Sequence, residues 1–346
     1  MNILYFGDDS LSSTSYHRAG ALVRLGHEVL IYNPKVSLKK NFENRYFSAF
    51  HYHTGYIFTQ HKLLKWVKSI IENLKAIDLV WIDSGELFGP QLIQQLKLLN
   101  CKIVLYNHDD PTGIRDGNRF YLLQKAIPYY DLCVVVREEN VNEFKNLGAQ
   151  KVLKVFRSYD EIMHKPFNSL SDIPDIFKSE VAFIGTWMRH EKRDVFLLHL
   201  INSGVPISIW GSRWKKSPYW KKLEPNYRGS NLGGRDYVAA IQGAKICLGF
   251  LSKGNRDLHT TRTMEIPYAG GLFCAERTTE HLELYKEGEE AVFWNDAEEC
   301  AQVCMKLLND DVLRNNIKQA GMERVRLLKL GHEDICNNIL NELENI

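Results

Sequence analysis

Residues 257–274 read Asp257-Leu-His-Thr-Thr-Arg-Thr-Met-Glu-Ile-Pro-Tyr-Ala-Gly-Gly-Leu-Phe-Cys. Arg262 and Glu265 stand three positions apart, a spacing that puts two side chains on one helix face. Gly270-Gly271 then offers a left-handed C-cap without a Cβ clash, and 272–275 reads as a short buried strand. A helix whose opening turns carry one cation and one carboxylate suits a ligand with phosphates and sugar hydroxyls. The cation takes the phosphates and the carboxylate accepts from the hydroxyls. The competing reading is a surface ion pair at helical spacing, and the surrounding sequence has to decide.

Outward from this stretch, strands at 181–185, 206–210 and 245–250 alternate with helices at 192–202 and 235–242. The quoted helix spans 261–269, strands at 271–274 and 291–294 follow, and 297–346 is helical with breaks at Gly321 and Gly331. The first half keeps the same rhythm. Strands at 3–7, 28–32, 79–82, 102–106, 132–136 and 152–155 are separated by helices at 16–25, 62–76, 87–99, 120–127 and 138–147. Such βαβα alternation predicts a doubly wound, mostly parallel sheet in each half. Residues 157–179, with Pro166, Pro174 and a Ser/Asp-rich stretch between them, interrupt the pattern as a linker would. The expected fold class is α/β, with two Rossmann-like doubly wound domains facing a cleft. The first covers 1–160, a linker 161–179 and the second 180–330, with 331–346 a helix packing back toward the first domain.

Composition excludes several classes. At 346 residues the chain exceeds one ordinary core, and 45% hydrophobic with 25% charged residues is the balance of a soluble globular protein. A net charge of +2 supplies no basic field for nucleic acid. The seven cysteines lie mostly inside apolar runs, as reduced buried thiols do. Cys300 and Cys304 sit one helical turn apart but lack a second Cys/His pair, so no zinc site is read there. The N-terminus starts as a strand rather than a signal peptide, and no run approaches the ~18 apolar residues of a membrane span. The expected location is cytoplasmic.

Three polar clusters follow strands of the first half: Gly7–Ser15 with His17 and Arg18 behind it, Asp83-Ser84-Gly85-Glu86, and Asn107–Gly113. In a doubly wound sheet these ends converge on one edge. The first cluster lacks the G-x-G-x-x-G spacing of a dinucleotide site. Asp109-Asp110 are adjacent and without further ligands, so no metal is expected. In the second half, Phe183-Ile-Gly-Thr-Trp-Met-Arg189 leads from a strand toward a helix holding Arg193. Gly185 there allows a phosphate close to backbone N–H groups. The stretch 210–228 interleaves Trp210, Trp214, Tyr219, Trp220 and Tyr227 with six Lys/Arg residues. That mixture fits an anionic or lipid-linked acceptor or a peripheral membrane surface, and equally an ordinary solvated helix with core aromatics.

With these residues in view, the second half resembles the C-terminal domain of GT-B glycosyltransferases, in particular the CgeB-type branch of group 1-like enzymes. The matching pieces are Phe183–Thr186 with Arg193, Ile209–Trp214 including Gly211, Tyr237–Ile241, Ala244–Leu248, Thr261–Glu265 with Ala269–Gly271, and Gly288–Val292. The resemblance implies a nucleotide-sugar donor held by Gly185, Arg193, Gly211, Trp214, Asp257, Arg262 and Glu265. It implies a glycan, lipid-linked or protein-linked acceptor hydroxyl on the side of the first domain. In related retaining enzymes two acidic residues eight positions apart touch the sugar and the ribose. Asp257 and Glu265 fall on those positions, with aspartate where glutamate is commoner. Arg262 and Arg193 would neutralise the diphosphate, so neither metal nor cofactor is expected. An inverting enzyme would draw its base from Asp8, Asp9, His17, His108, Asp109 or Asp110, whereas a retaining one needs none. The alternatives are a nucleotide-sugar epimerase or hydrolase on the same fold, or a non-catalytic nucleotide-sugar-binding scaffold.

Overall fold

The computed structural model describes residues 1–345. The chain divides into two compact units. One comprises Met1–Phe156, Gly254–Arg256 and the stretch from His332, and the other Arg157–Lys253 with Asp257–Gly331.

The first unit is built on β1 (Asn2–Phe6), β2 (Glu28–Tyr32), β3 (Leu79–Asp83), β4 (Lys102–Asn107), β5 (Leu132–Val135) and β6 (Val152–Lys154). They form one parallel sheet in the order β2-β1-β3-β4-β5-β6. Helices cover both faces of such a sheet, so its central strands read as unbroken apolar runs. The segment Leu79-Val-Trp-Ile-Asp83 is buried at every position. The helix His332–Glu344 belongs to this unit, with Ile335, Cys336, Ile339, Leu340 and Leu343 buried. Its Glu333 accepts from Arg24 Nε at 2.5 Å, at the end of the helix Thr14–Arg24.

The second unit carries β7 (Ser179–Ile184), β8 (Ile207–Trp210), β9 (Tyr227–Gly229), β10 (Ala244–Gly249), β11 (Phe273–Glu276) and β12 (Val292–Trp294). Their order, β12-β11-β10-β7-β8-β9, is again wholly parallel. In each sheet the winding reverses once, between β1 and β3 in the first and between β7 and β10 in the second. A crevice opens beyond the carboxyl ends of strands at such a reversal.

The helix Thr261–Tyr268 shows how local sequence sets its bounds. Thr263 Oγ1 accepts from Thr260 N–H at its start. At its end Gly270 N–H donates to Pro267 O and Gly271 N–H to Ile266 O, with Gly270 at φ +83°, the paired bonds of a left-handed cap. Pro267 lies inside the helix and has no N–H for the Thr263 carbonyl, and the Tyr285 hydroxyl donates to that oxygen instead at 2.8 Å.

Three expectations need correction. Residues 161–179 lie within the second unit: Gln242 exchanges two hydrogen bonds with the Phe167 backbone, and Ile173 and Phe177 are buried. Gly321 does not break the C-terminal helices, because Asp311–Leu327 runs through it. A Cβ there would stand 2.3 Å from Glu290 O, so the glycine answers a close backbone approach. Residues 227–229, inside the basic-aromatic stretch, form a strand, and 34–59 hold short helices that no clear period announced. Among the described residues, no helix is long and apolar enough to cross a membrane.

Candidate functional site

At the reversal in the second sheet, two arginines are fixed by carbonyl oxygens. Arg262 Nε donates to Ile184 O at 3.0 Å, at the end of β7. Arg193 donates through Nη1 to Thr186 O and through Nη2 to Leu251 O, each at 3.0 Å, straddling the ends of β7 and β10. Carbonyls orient a guanidinium without cancelling its charge. Burial and the neighbouring Arg262 cation hold the pKa of Arg193 below its usual value, against the pull of Glu191 and Asp257. Two like charges held close at the start of the helix Thr261–Tyr268 make a site for an anion carrying more than one charge.

No ion pair joins Arg262 to Glu265 among the described residues, which disposes of the surface-pair reading. Glu265 is buried, its Oε2 accepts from Tyr237 Oη at 2.7 Å, and His164 Nε2 lies 3.7 Å from Oε1. Burial and the Glu265 charge push Tyr237 well above the usual phenol range, so it remains a donor. Glu265 keeps lone pairs for a further donor. Asp257 is buried and paired with Arg157 at 3.3 Å. The adjacent His259 accepts from Arg157 N–H through Nε2 and meets Glu280 through Nδ1 at 2.5 Å, which fixes a neutral ring. Burial lowers its pKa in agreement.

Gly185 and Gly211 form one close contact: a Cβ on Gly211 would fall 2.0 Å from Gly185 O. Trp214 Nε1 donates to that same oxygen at 2.8 Å. The Trp214 ring is fully buried against Phe183 and others of the core, so it props the turn and cannot present a face to a ligand, contrary to its expected role. A cavity of about 580 Å³ opens beside Arg193 over β10–β12, walled by Phe196, Phe250 and Trp294. Of the expected donor residues it includes only Arg193.

At the reversal in the first sheet lies a polar cavity of about 210 Å³. It takes in Asp8, His108 and Asp109 together with Asp83, Glu86, Lys35 and Arg119. Asp83 Oδ2 accepts from Tyr5 Oη at 2.7 Å and from Arg18, while Oδ1 lies 3.6 Å from His108 Nδ1. Asp109 accepts from Ser84 Oγ at 3.1 Å, and Arg119 binds Glu86 at 2.5 Å. Ser84 takes φ +65° with its carbonyl held by Asn107, a left-handed turn that aims its hydroxyl at Asp109. His17 does not line the cavity; its Nε2 meets Leu11 O at 2.9 Å and shapes the loop after β1. Asp9 accepts from Asn33, and Asp110 is buried under Arg256 and Asn140, so neither is placed as a base.

Sequence reasoning placed Arg18, Asp83 and Glu86 in the polar clusters but missed Arg119 and the pairings Arg18–Asp83 and Arg119–Glu86, because the partners lie far apart along the chain. It also missed that Cys274 joins Cys300 and Cys304, with the three sulfurs within 4.8 Å. All three are buried in the apolar core of the second unit.

Residues 189–332 match a family model described as glycosyl transferase-like. Sucrose-phosphate synthase from Thermosynechococcus elongatus superposes with a TM-score of 0.72 at 12% identity, over 99% of this chain and 98% of that one. HepE of Anabaena in complex with UDP-glucose gives 0.65 at 13%, over 100% of both chains. The α,α-trehalose 6-phosphate synthase of Burkholderia multivorans gives 0.64 at 11%, over 100% of this chain and 98% of that one. No curated protein matches by sequence. At these identities the likeness is one of fold, and the fold is GT-B.

Proposed function

We propose that the chain is a glycosyltransferase that moves a sugar from a nucleotide-sugar donor to an acceptor hydroxyl. The observation that carries this is the pair Arg193 and Arg262, anchored on carbonyls rather than in a carboxylate ion pair at the reversal between β7 and β10. The match of residues 189–332 to the glycosyl transferase-like model covers the same pair. Both cations stabilise the diphosphate as it leaves, together with the N-terminus of the helix Thr261–Tyr268, and this reading calls for no metal. Glu265, oriented by Tyr237, accepts from the ribose hydroxyls. Asp257, steered by Arg157, is the carboxylate that contacts the sugar.

The acceptor binds in the first unit's cavity, among Asp8, His108 and Asp109. Acidic and basic groups both line that cavity, which suits a polyhydroxylated acceptor such as a glycan. In an inverting reaction His108, backed by Asp83, takes the acceptor proton. In a retaining one the departing diphosphate does so. HepE was solved with UDP-glucose, so that donor is the first to try. The deciding experiment is a thermal-shift panel of nucleoside diphosphates and their sugar conjugates, followed by turnover with acceptors. Ligand at a hundred times its Kd raises stability by roughly 2.7 kcal/mol. Absence of any shift across the panel overturns the reading.

A further inference from the structure

In the first unit, the helix Arg45–His53 and the turn Ile57–Thr59 expose a run of large apolar side chains. Tyr46 is 84% exposed, Phe58 65% and Phe47 59%, with Phe50 and Ile57 nearly half exposed. Tyr46, Phe47 and Phe50 share one helix face at i, i+1 and i+4, and Phe50 stacks on Phe58 at 5.3 Å between ring centroids. Folding alone would not leave five such groups together in water, because a contiguous apolar patch is a docking site or a liability.

The charge around the patch says what docks there. No Asp or Glu occurs between Glu43 and Glu72. Across 34–71 that single glutamate stands against Lys35, Lys39, Lys40, Arg45, Lys62, Lys65 and Lys68. Among the described residues Lys39, Arg45, Lys62, Lys65 and Lys68 are exposed and make no ion pair, so their charge is unspent within the protein. Exposed aromatics on a segment rich in exposed cations without ion-pair partners match the chemistry of an anionic bilayer, with rings entering the headgroup layer and ammonium groups meeting phosphates. We propose that this face docks on an anionic lipid surface. A cavity of about 490 Å³ lies beside it, bounded by Lys39, Phe42, Ser48, Tyr52 and Tyr56, and shares Lys35, Glu86 and Arg119 with the polar cavity at the strand ends. The basic-aromatic stretch 214–222 is the weaker membrane candidate, since Trp214 is buried and Trp220 packs against the core.

The test uses the full chain and needs no turnover, so it stands or falls apart from the sugar-transfer reading. Co-sedimentation with vesicles of phosphatidylcholine alone is compared with vesicles containing 30% phosphatidylglycerol (about that fraction suffices for a negative surface). Binding is expected only to the anionic vesicles and to weaken with added salt. Phe47→Ser/Phe50→Ser/Phe58→Ser and Lys62→Gln/Lys65→Gln are each expected to lower partitioning about ten-fold or more. All five side chains are exposed, and unchanged melting temperatures confirm that the variants fold. Parent-like partitioning of both variants overturns the proposal. So does self-association of the parent that the Phe variant abolishes while vesicle binding is absent, which would make the face a contact between copies.

Discussion

Gly211 passes so close to Gly185 that a Cβ would stand 2.0 Å from the Gly185 carbonyl oxygen, at a φ of +145°. Two turns at neighbouring strand ends are thereby locked together, and Gly185 O also accepts from Trp214. Gly211→Ala is expected to cost about 2–3 kcal/mol through strain and overpacking. Urea denaturation would read this as a lowered midpoint with unchanged m. A parent-like midpoint would mean that the two turns are not coupled.

Arg262→Ala should weaken nucleoside diphosphate binding about ten- to a hundred-fold, the measure of a charge-assisted hydrogen bond of roughly 1.5–3 kcal/mol. Pyrophosphate should lose as much. Glu265→Gln keeps an acceptor for Tyr237, so it should weaken nucleotides while leaving pyrophosphate nearly untouched. Calorimetric titration of both variants checks the pattern, and equal losses of the two ligands in Glu265→Gln would remove the ribose assignment.

In the first unit, if the reaction inverts, His108→Gln is expected to lower turnover about a hundred-fold or more while leaving nucleoside diphosphate affinity as it was, the signature of lost general-base catalysis. Turnover that survives intact removes His108 from the chemistry. Asp83 does more than steer His108, because it pairs with the buried Arg18. Asp83→Ala should therefore also destabilise the fold by about 3–5 kcal/mol, as removing one partner of a buried pair does.

Stability should fall in mild acid. Burial lowers His281 to about 4 from its usual 6.5, and the ring is held neutral by Thr263 Oγ1 on Nε2 and by Glu276 O on Nδ1. Above pH 6.5 the group is neutral in folded and unfolded chains alike and contributes no slope. Between 6.5 and 4 only the unfolded chain takes up the proton, so unfolding becomes easier by about 3 kcal/mol, at 1.36 kcal/mol per pH unit. His259, also lowered by burial, acts in the same sense. His281→Asn should flatten the dependence of unfolding free energy on pH in that window. An unchanged slope would show that His281 is not the group responsible.

The sheets were legible because parallel strands buried on both faces leave unbroken apolar runs, and 79–82 and 132–136 could hardly be anything else. Gly270-Gly271 and the helix before it were legible because a left-handed cap has few sequence solutions. Pairings across the fold were not. Nothing local marks Arg18 as the partner of Asp83, 65 positions away, or Arg119 as that of Glu86. Gly321 misled because a glycine demanded by packing looks the same as one that ends a helix. Trp214 misled because an indole among lysines reads as surface until its neighbours in space are known. Residues 161–179 misled because proline and serine mark irregular backbone, and irregular backbone need not be a tether.

The helix His332–Glu344 completes the unit that Met1 begins, packing against the helix Thr14–Arg24. When residue 156 leaves the ribosome, every strand of the first sheet exists, yet one flank of the helix Thr14–Arg24 stays open until His332–Glu344 emerges. The second unit is continuous apart from a three-residue excursion and has no such wait. The unit whose sheet is made earlier is therefore completed after the other, and a chain cut short after residue 331 leaves that flank of the helix Thr14–Arg24 bare.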